Sequence, residues 1–455
     1  MTTASPRALN GSRPSRPSPA GFRGAALAAL LLLAAGWALT LWIAPWSDER
    51  VNDLFVYRTF AAPVLDGALP YRDVAFEYPP LAAPAIALPG LAGTGAESFR
   101  WAFALWTLLG AAAVVLLCGA LARAGAPVPA VADVPASPAA AADVPVLAAA
   151  GRASARRAML AAASMPLLCG AVLRTHFDLF PVALVLAALL LLVRDRPRAG
   201  FGVLGVAVMT KVFPIVVAPV AIAWLLARGR RRDAWQGALV CAAVMAAIAG
   251  AAVAVSPEGT LDAVRFQLDR PVQIESSPAM VVLGLDAAGA GHAESVKTFR
   301  SDGLLHPASD AVTSLFLTAL VVLVALLCAS AAAGAGAGRR EGATAEAARG
   351  LVLASLAACA GFALFGKVFS PQFVAWVLPL GALAFAWRMH ALALAVALVA
   401  VLTQIEFPAH YFDVVAREPL AIGAVAVRNA ALAAVIGLTL RELRAPRRAL
   451  VRSPG

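Results

Sequence analysis

The sequence predicts an all-α polytopic membrane protein, and three observations carry that prediction. Of 455 residues, 61% are hydrophobic and only 14% charged, with a mean hydropathy of +0.81, more apolar surface than a soluble core absorbs. The apolar residues fall in long runs bounded by Arg, Pro or polar clusters, which is the pattern of membrane-spanning helices. The basic residues concentrate in alternate loops, as orientation in a membrane requires.

Taken in order, the apolar runs predict about twelve crossings, over residues 24–44, 99–121, 158–173, 177–193, 199–210, 212–227, 235–255, 311–333, 350–366, 371–387, 389–405 and 419–440. Residues 1–23 are a basic tail carrying Arg7, Arg13, Arg16 and Arg23; the run after it is long enough to span and lacks a clean cleavage site, so it reads as an anchor. The runs 199–210 and 212–227 are short and meet at Lys211, which suits broken or half-crossing helices. The tail 441–455 is again Arg-rich, and an even number of crossings places both termini in the cytoplasm. The membrane domain, 24–440, then has a first outer loop at 45–98, an inner low-complexity linker at 122–157 and a large outer loop at 256–310.

On this topology 24 of the 37 basic residues and seven of the 26 acids are cytoplasmic. The formal charge of +11 is therefore orientation and attraction to anionic headgroups, and nucleic acid is not an expected partner. The cysteines (Cys118, Cys169, Cys241, Cys328, Cys359) all sit in apolar runs, which argues against a disulfide framework. His292, His306 and His410 lack ligand spacing, so no metal is expected.

The polar clusters fall on the outer side. "NDLFVYR" (52–58) and "LPYRDVAFEYPP" (69–80) lie in the first outer loop, "RTHFD" (174–178) and "GKVFSPQ" (366–372) in outer hairpins, "TKVFP" (210–214) at the tip of the short pair, and "EFPAHYFD" (406–413) in an outer loop. Charges at the ends of apolar segments are costly and tend to pair or to work, and this gathering predicts one polar cavity facing away from the cytoplasm. Asp53 reads either as a general base near the bilayer surface or as the cap of an interfacial helix. Asp48, Glu49 and Asp66 read as loop acids. Tyr57, Tyr71, Arg72, Asp73, Glu77 and Tyr78 combine acids with aromatics, as a sugar's polar rim and apolar face would need, or as an aromatic belt with a Pro turn would supply. The cations Arg174, His176, Lys211 and Lys367 could neutralise a phosphate, or pair with one another and with Asp178. Ser370 and Gln372 offer hydrogen bonds, although a helix start explains Ser-Pro equally well.

The ordered set "DLFVYR", "LDGALPYRDVAFEYPPL", "RTHFDLFPVAL", "TKVFPIVVAP" and "GKVFSPQFVAWVLPL" resembles glycosyltransferase family 87, from about Asp53 to Glu406. The resemblance implies a C-type glycosyltransferase fold in the plasma membrane and an extracytoplasmic, inverting transfer from a polyprenyl-phosphate sugar to a lipid or glycan acceptor. It implies Asp53 as the base and no cofactor beyond the lipid-linked donor. Mannose is the sugar it favours, with arabinose and glucose open. The loop 256–310 departs from the resemblance; in related enzymes such loops vary and often cover acceptors, so Arg265, Gln267, Arg270 and Glu275 could set specificity, with no family role carried onto them. The rival readings are a lipid-linked sugar flippase, which would put its ionisable groups near the midplane and gate both ways, and a catalytically silent scaffold.

Overall fold

The computed structural model describes residues 20–126, 143–336 and 343–444. Most of both basic tails, residues 127–142 of the low-complexity linker and the Arg339–Arg340 pair lie outside the described residues.

The helices are α1 (Ala20–Trp42), α2 (Leu54–Leu65), α3 (Ala82–Ala87), α4 (Ala96–Ala124), α5 (Asp143–Ala163), α6 (Met165–Thr175), α7 (Leu179–Val193), α8 (Pro197–Thr210), α9 (Val217–Ala227) and α10 (Arg231–Val255). After α10 come α11 (Pro257–Leu268), α12 (Ser277–Ala287), α13 (Ser309–Gly336), α14 (Ala343–Phe365), α15 (Leu378–Ala386), α16 (His390–Gln404), α17 (Tyr411–Val415) and α18 (Pro419–Arg444).

The chain is a mostly helical, multi-pass membrane protein. Seven of its described helices are long and apolar enough to cross a bilayer: α1, α4, α10, α13, α14, α18, and α16 together with the π turn Ile405–Ala409 that extends it. Each of the other expected crossings is also helical but differs in form. The pair α5 and α6 bends by 54° at Ser164, making at most an eighth span. Helices α7, α8, α9 and α15 have 15, 14, 11 and nine residues. At about 1.5 Å per residue none of these four reaches ~30 Å of hydrocarbon by itself. Pro and 3-10 turns at Pro214 and Pro371 shorten α9 and α15 by removing backbone donors from what the apolar pattern reads as one run.

Burial orders the bundle. In α14, 78% of the span is buried inside the protein, against 11% in α10, so α14 is the central helix and α10 a rim helix. Close packing joins α4 with α5 and α7, α8 with α7 and α10, and α16 with α18. At one end Arg157 donates to the Ala386 carbonyl (3.0 Å), Trp387 to Ala122 (3.1 Å) and Trp224 to Ala347 (3.0 Å). The other end collects the six clusters the sequence puts in outer loops: Leu81 N–H donates to Met209 (2.9 Å), Gln273 N–H to Lys367 (2.9 Å) and Ala171 N–H to Gln404 Oε1 (3.3 Å).

The large loop 256–310 is a folded unit. Ser256 accepts from Gly259 N–H (3.2 Å) and Ser276 from Ala279 N–H (3.2 Å), so "SPEG" and "SSPA" are Ser caps followed by Pro in the first helical turn, starting α11 and α12. Strands β1 (Val272–Gln273), β2 (Glu294–Thr298) and β3 (Ser301–Leu305) form an antiparallel sheet in the order β1-β3-β2, with Val272 opposite Leu304 and Glu294 opposite Leu305. This small sheet is the departure from an all-α chain. Val272, Ile274, Val282 and Leu304 bury themselves with Val414 and Val425, which seats the unit on α17 and α18.

A second core lies under the first loop, where Tyr57, Phe60, Tyr71, Phe76, Phe103 and Phe177 pack together. Helix α11 closes on it so tightly that a Cβ on Gly259 would stand 1.9 Å from the Tyr71 carbonyl oxygen. Gly259→Ala is expected to lift α11 off the first loop and to cost about 1–3 kcal/mol, as overpacking does; a lowered thermal midpoint in nanodiscs is the check.

Candidate functional site

Asp53 stands at the first position before α2, where a carboxylate ordinarily caps the helix, yet it makes no capping hydrogen bond. Asn52 does that work instead, its Oδ1 accepting from Leu54 N–H at 2.8 Å. The Asp53 carboxylate, one-third exposed, is left to face the cleft: the Tyr57 hydroxyl donates to its Oδ2 at 3.2 Å, and His176 Nε2 lies 3.5 Å from the same oxygen. Nδ1 of His176 is 2.9 Å from the Val172 carbonyl, which can only accept, so Nδ1 carries a proton and Nε2 is the nitrogen turned to Asp53.

The floor of the cleft is aromatic. Tyr57 stacks on Phe103 (centroids 5.3 Å apart) and meets Phe177 edge-on (5.7 Å), and Tyr78 meets Phe177 edge-on (5.4 Å). Tyr57 and Phe76 are buried while Tyr78 is half-buried, so the knot at 69–80 serves mainly as packing and leaves little open ring surface.

Beside this lies a buried ion pair. Lys211, at the end of α8, reaches Asp178 Oδ1 at 2.6 Å, and Trp376 Nε1 donates to that oxygen at 2.8 Å. The ammonium also faces the rings of Phe177 (4.9 Å) and Phe373 (5.4 Å). Asp178 Oδ2 is buried with no hydrogen-bond partner among the described residues, an acceptor available to a ligand.

Glu77 is the second acid of the cleft. Burial raises its carboxyl above the ordinary carboxylate range, Arg300 opposes that shift, and Asp53 adds to it. Arg300 Nε is 3.6 Å from Glu77 Oε2. From α8, α9 and α10 an apolar groove of about 510 Å³, lined by Met209, Ile215, Ile222, Cys241, Met245 and Ala249 among others, leads to this end of the bundle. Met209 is two residues from Lys211, and its carbonyl holds Leu81 at the end of the Pro79–Pro80 turn.

Several residues singled out in the sequence have other work. Arg174, 1% exposed, donates to Thr40 O and Oγ1 (2.7 and 3.0 Å), Trp46 O (2.9 Å) and Glu49 Oε1 (2.6 Å), so its guanidinium has nothing left for a phosphate. Pairing with Asp178, the alternative reading for these cations, describes Lys211; Arg174 pairs instead with Glu49, which the sequence reads as a loop acid. Glu49 is thereby more than a loop acid: it binds both Arg174 and Arg100. Tyr71 is buried and donates to the Tyr78 carbonyl at 2.6 Å, holding the loop from inside. Arg72 and Asp73 pair with each other on the surface at 2.8 Å, and Asp73 also accepts from Leu69 N–H, a turn outside the cleft. Lys367 donates to the Leu268 carbonyl, and burial lowers its pKa. Gln372 makes no side-chain hydrogen bond to a described residue. Ser370 leans on Gln273 Oε1 (3.3 Å), which also accepts from Phe369 N–H (2.9 Å).

Sequence reasoning missed a buried acid pair. Glu406, 1% exposed, lies 2.8 Å from Arg428 Nη1, although the two groups are not aligned for a hydrogen bond. Arg428 Nη2 donates to the Glu275 carbonyl at 2.6 Å, and the guanidinium covers the Phe369 ring at 4.1 Å. Glu275 accepts from Gln273 Nε2 at 2.8 Å; burial, and then Glu406 beside it, hold its carboxyl well above the ordinary range. The sequence shows Glu406 in "EFPAHYFD" and Glu275 in the large loop, and the Arg inside the last span is the further signal that could have joined them, because such a charge demands a partner.

Two stability predictions follow from these charges. Arg174→Gln leaves the Thr40 and Trp46 carbonyls and Glu49 Oε1 without their charged donor and is expected to cost about 3–5 kcal/mol, read as a fall in thermal midpoint. Glu275 has a raised folded-state pKa, so its contribution to stability is complete at low pH and is lost as pH rises toward that pKa. Glu275→Gln removes the loss, and the variant's midpoint is expected to gain on the wild type as the pH rises above about 5. No protein-family model and no curated protein matches the chain, and the functional reading rests on the arrangement of these side chains.

Proposed function

We propose that the protein is a glycosyltransferase that takes a sugar from a polyprenyl-phosphate donor and transfers it, at the extracytoplasmic face of the plasma membrane, to a lipid or glycan hydroxyl. The observation that carries this reading is Asp53: a partly exposed carboxylate at a helix start, relieved of capping by Asn52 and held by Tyr57 and His176 over an aromatic floor. A carboxylate so placed suits the removal of a proton from an acceptor hydroxyl. The apolar groove between α8, α9 and α10 supports a lipid-linked donor, its chain among the helices.

The chemistry is a single displacement. Asp53 takes the acceptor proton, the acceptor oxygen bonds to the anomeric carbon, and the bond from that carbon to the phosphate oxygen breaks with its electron pair leaving on phosphate. The configuration inverts. Asp178 Oδ2, buried without a partner among the described residues, suits a sugar hydroxyl. The ionisable groups gather at one end of the bundle, which favours transfer over the flippase reading, where such groups belong near the midplane. Mannose is the first sugar to test.

Asp53→Asn keeps the shape and removes the base. In nanodiscs supplied with polyprenyl-phosphate mannose and a membrane lipid extract, the variant is expected to transfer label at least about a hundredfold more slowly, with an unchanged thermal midpoint. Equal transfer by both proteins overturns the assignment of the base. No transfer by either, with donor crossing liposome bilayers, points to the flippase.

A further inference from the structure

A phosphate that leaves with an added charge needs cations with hydrogen-bond donors to offer. Of the residues the sequence suggests for this, Arg174 is fully engaged with Thr40, Trp46 and Glu49, whereas Lys211 and Lys367 are each drawn to one acceptor, Asp178 and the Leu268 carbonyl, as point charges without a planar fork. Two other guanidiniums reach the cleft, both from the large loop.

Arg300 sits at the tip of the β2–β3 hairpin. Its φ is +54°, and that of Phe299 before it is +50°, in a two-residue turn that ordinarily takes Asn-Gly because both positions are left-handed. A bulky Phe and an Arg stand there against local preference, which points to a use for what the tip presents. Phe299 packs edge-on against Phe266 of α11 (5.0 Å) and so fixes the tip. Arg300 lies over the Phe60 ring (4.8 Å) and approaches Glu77 at 3.6 Å, beyond hydrogen-bond distance.

Arg270 follows α11 and is half-buried. It is near enough to Glu77, Tyr78 and Asp53 for their charges to act on it, yet it makes no hydrogen bond to a described residue, and its Nε is buried without a partner. Two cations with donors to spare thus face a cleft in which Glu77 supplies a single loosely held carboxylate. A phosphate oxygen pair fits this arrangement, since guanidinium forks bind phosphate with two parallel hydrogen bonds.

We propose that Arg270 and Arg300 form the clamp that binds the donor's phosphate and receives its charge as the sugar departs. The proposal rests on the glycosyl-transfer reading. It makes the large loop part of the donor site: Phe266 and Phe299 set the position of the hairpin tip, and Glu77 keeps the two guanidiniums from repelling one another.

The test compares undecaprenyl phosphate with undecaprenol, the uncharged lipid of the same length, binding to the full chain in nanodiscs of zwitterionic lipid. The wild type is expected to prefer the phosphate. Arg270→Gln and Arg300→Gln are each expected to weaken phosphate binding about tenfold or more while leaving the alcohol unchanged, and Arg300→Lys to restore part of the loss. The double variant Phe299→Asn, Arg300→Gly relaxes the left-handed turn. It is expected to keep its thermal midpoint and still bind phosphate as weakly as Arg300→Gln, which separates loss of the clamp from loss of the fold. A phosphate preference that survives in both Gln variants, or an equal fall for phosphate and alcohol, overturns the clamp alone. A wild-type protein with no preference for the phosphate overturns the lipid-phosphate donor reading and the clamp with it.

Discussion

Arg174 is the constraint on which the cleft depends. Its guanidinium is buried where water cannot reach it, so each N–H must find a protein acceptor. Those acceptors are Thr40 near the end of α1, Trp46 and Glu49 in the loop after it. Satisfying one buried cation therefore folds residues 40–49 over the end of α6, and the chain that continues from Glu49 delivers Asn52 and Asp53 beside His176. The catalytic carboxylate of the proposed reaction is placed by a neighbour that does not touch the cleft.

The charges at this end of the bundle divide by how completely they are compensated. Arg174 with Glu49 and Lys211 with Asp178 are close pairs that hold helices and loops together. Asp53, Glu77, Arg270 and Arg300 are more loosely held, at 3.5 Å from His176 in the first case and 3.6 Å between Glu77 and Arg300. Structure-holding groups are those whose donors and acceptors match; groups left over in a cleft are the ones a ligand can complete.

The large loop is anchored by the same logic. Gln273 uses its backbone N–H and side-chain oxygen to bind the 367–370 turn and its side-chain nitrogen to bind Glu275. Arg428, inside the last long helix, meets both Glu406 and the Glu275 backbone. With Tyr411 donating to Asp302 at 2.6 Å, the sheet is fastened to the membrane helices from below while Gly259 brings α11 against Tyr71 from the side. The loop is thus a lid over the cleft with several independent attachments.

Local pattern alone determined the helical, multi-pass character, because apolar runs and Pro, Gly and Arg boundaries act within a few residues of themselves. The alternation of basic loops also led to the expectation that the polar clusters gather at one end, and Leu81 meets Met209 and Asp178 meets Lys211 there. Local pattern did not separate full crossings from short helices, because α7 to α9 and α15 are as apolar as spans and differ only in length and breaks. Nor did it distinguish Arg174, a structural clamp, from Arg270 and Arg300, or show that Asp53 is free of its capping duty. Those differences lie in which acceptors each side chain reaches, often across more than a hundred residues of chain, and only the folded structure settles which donors are satisfied and which remain for a ligand.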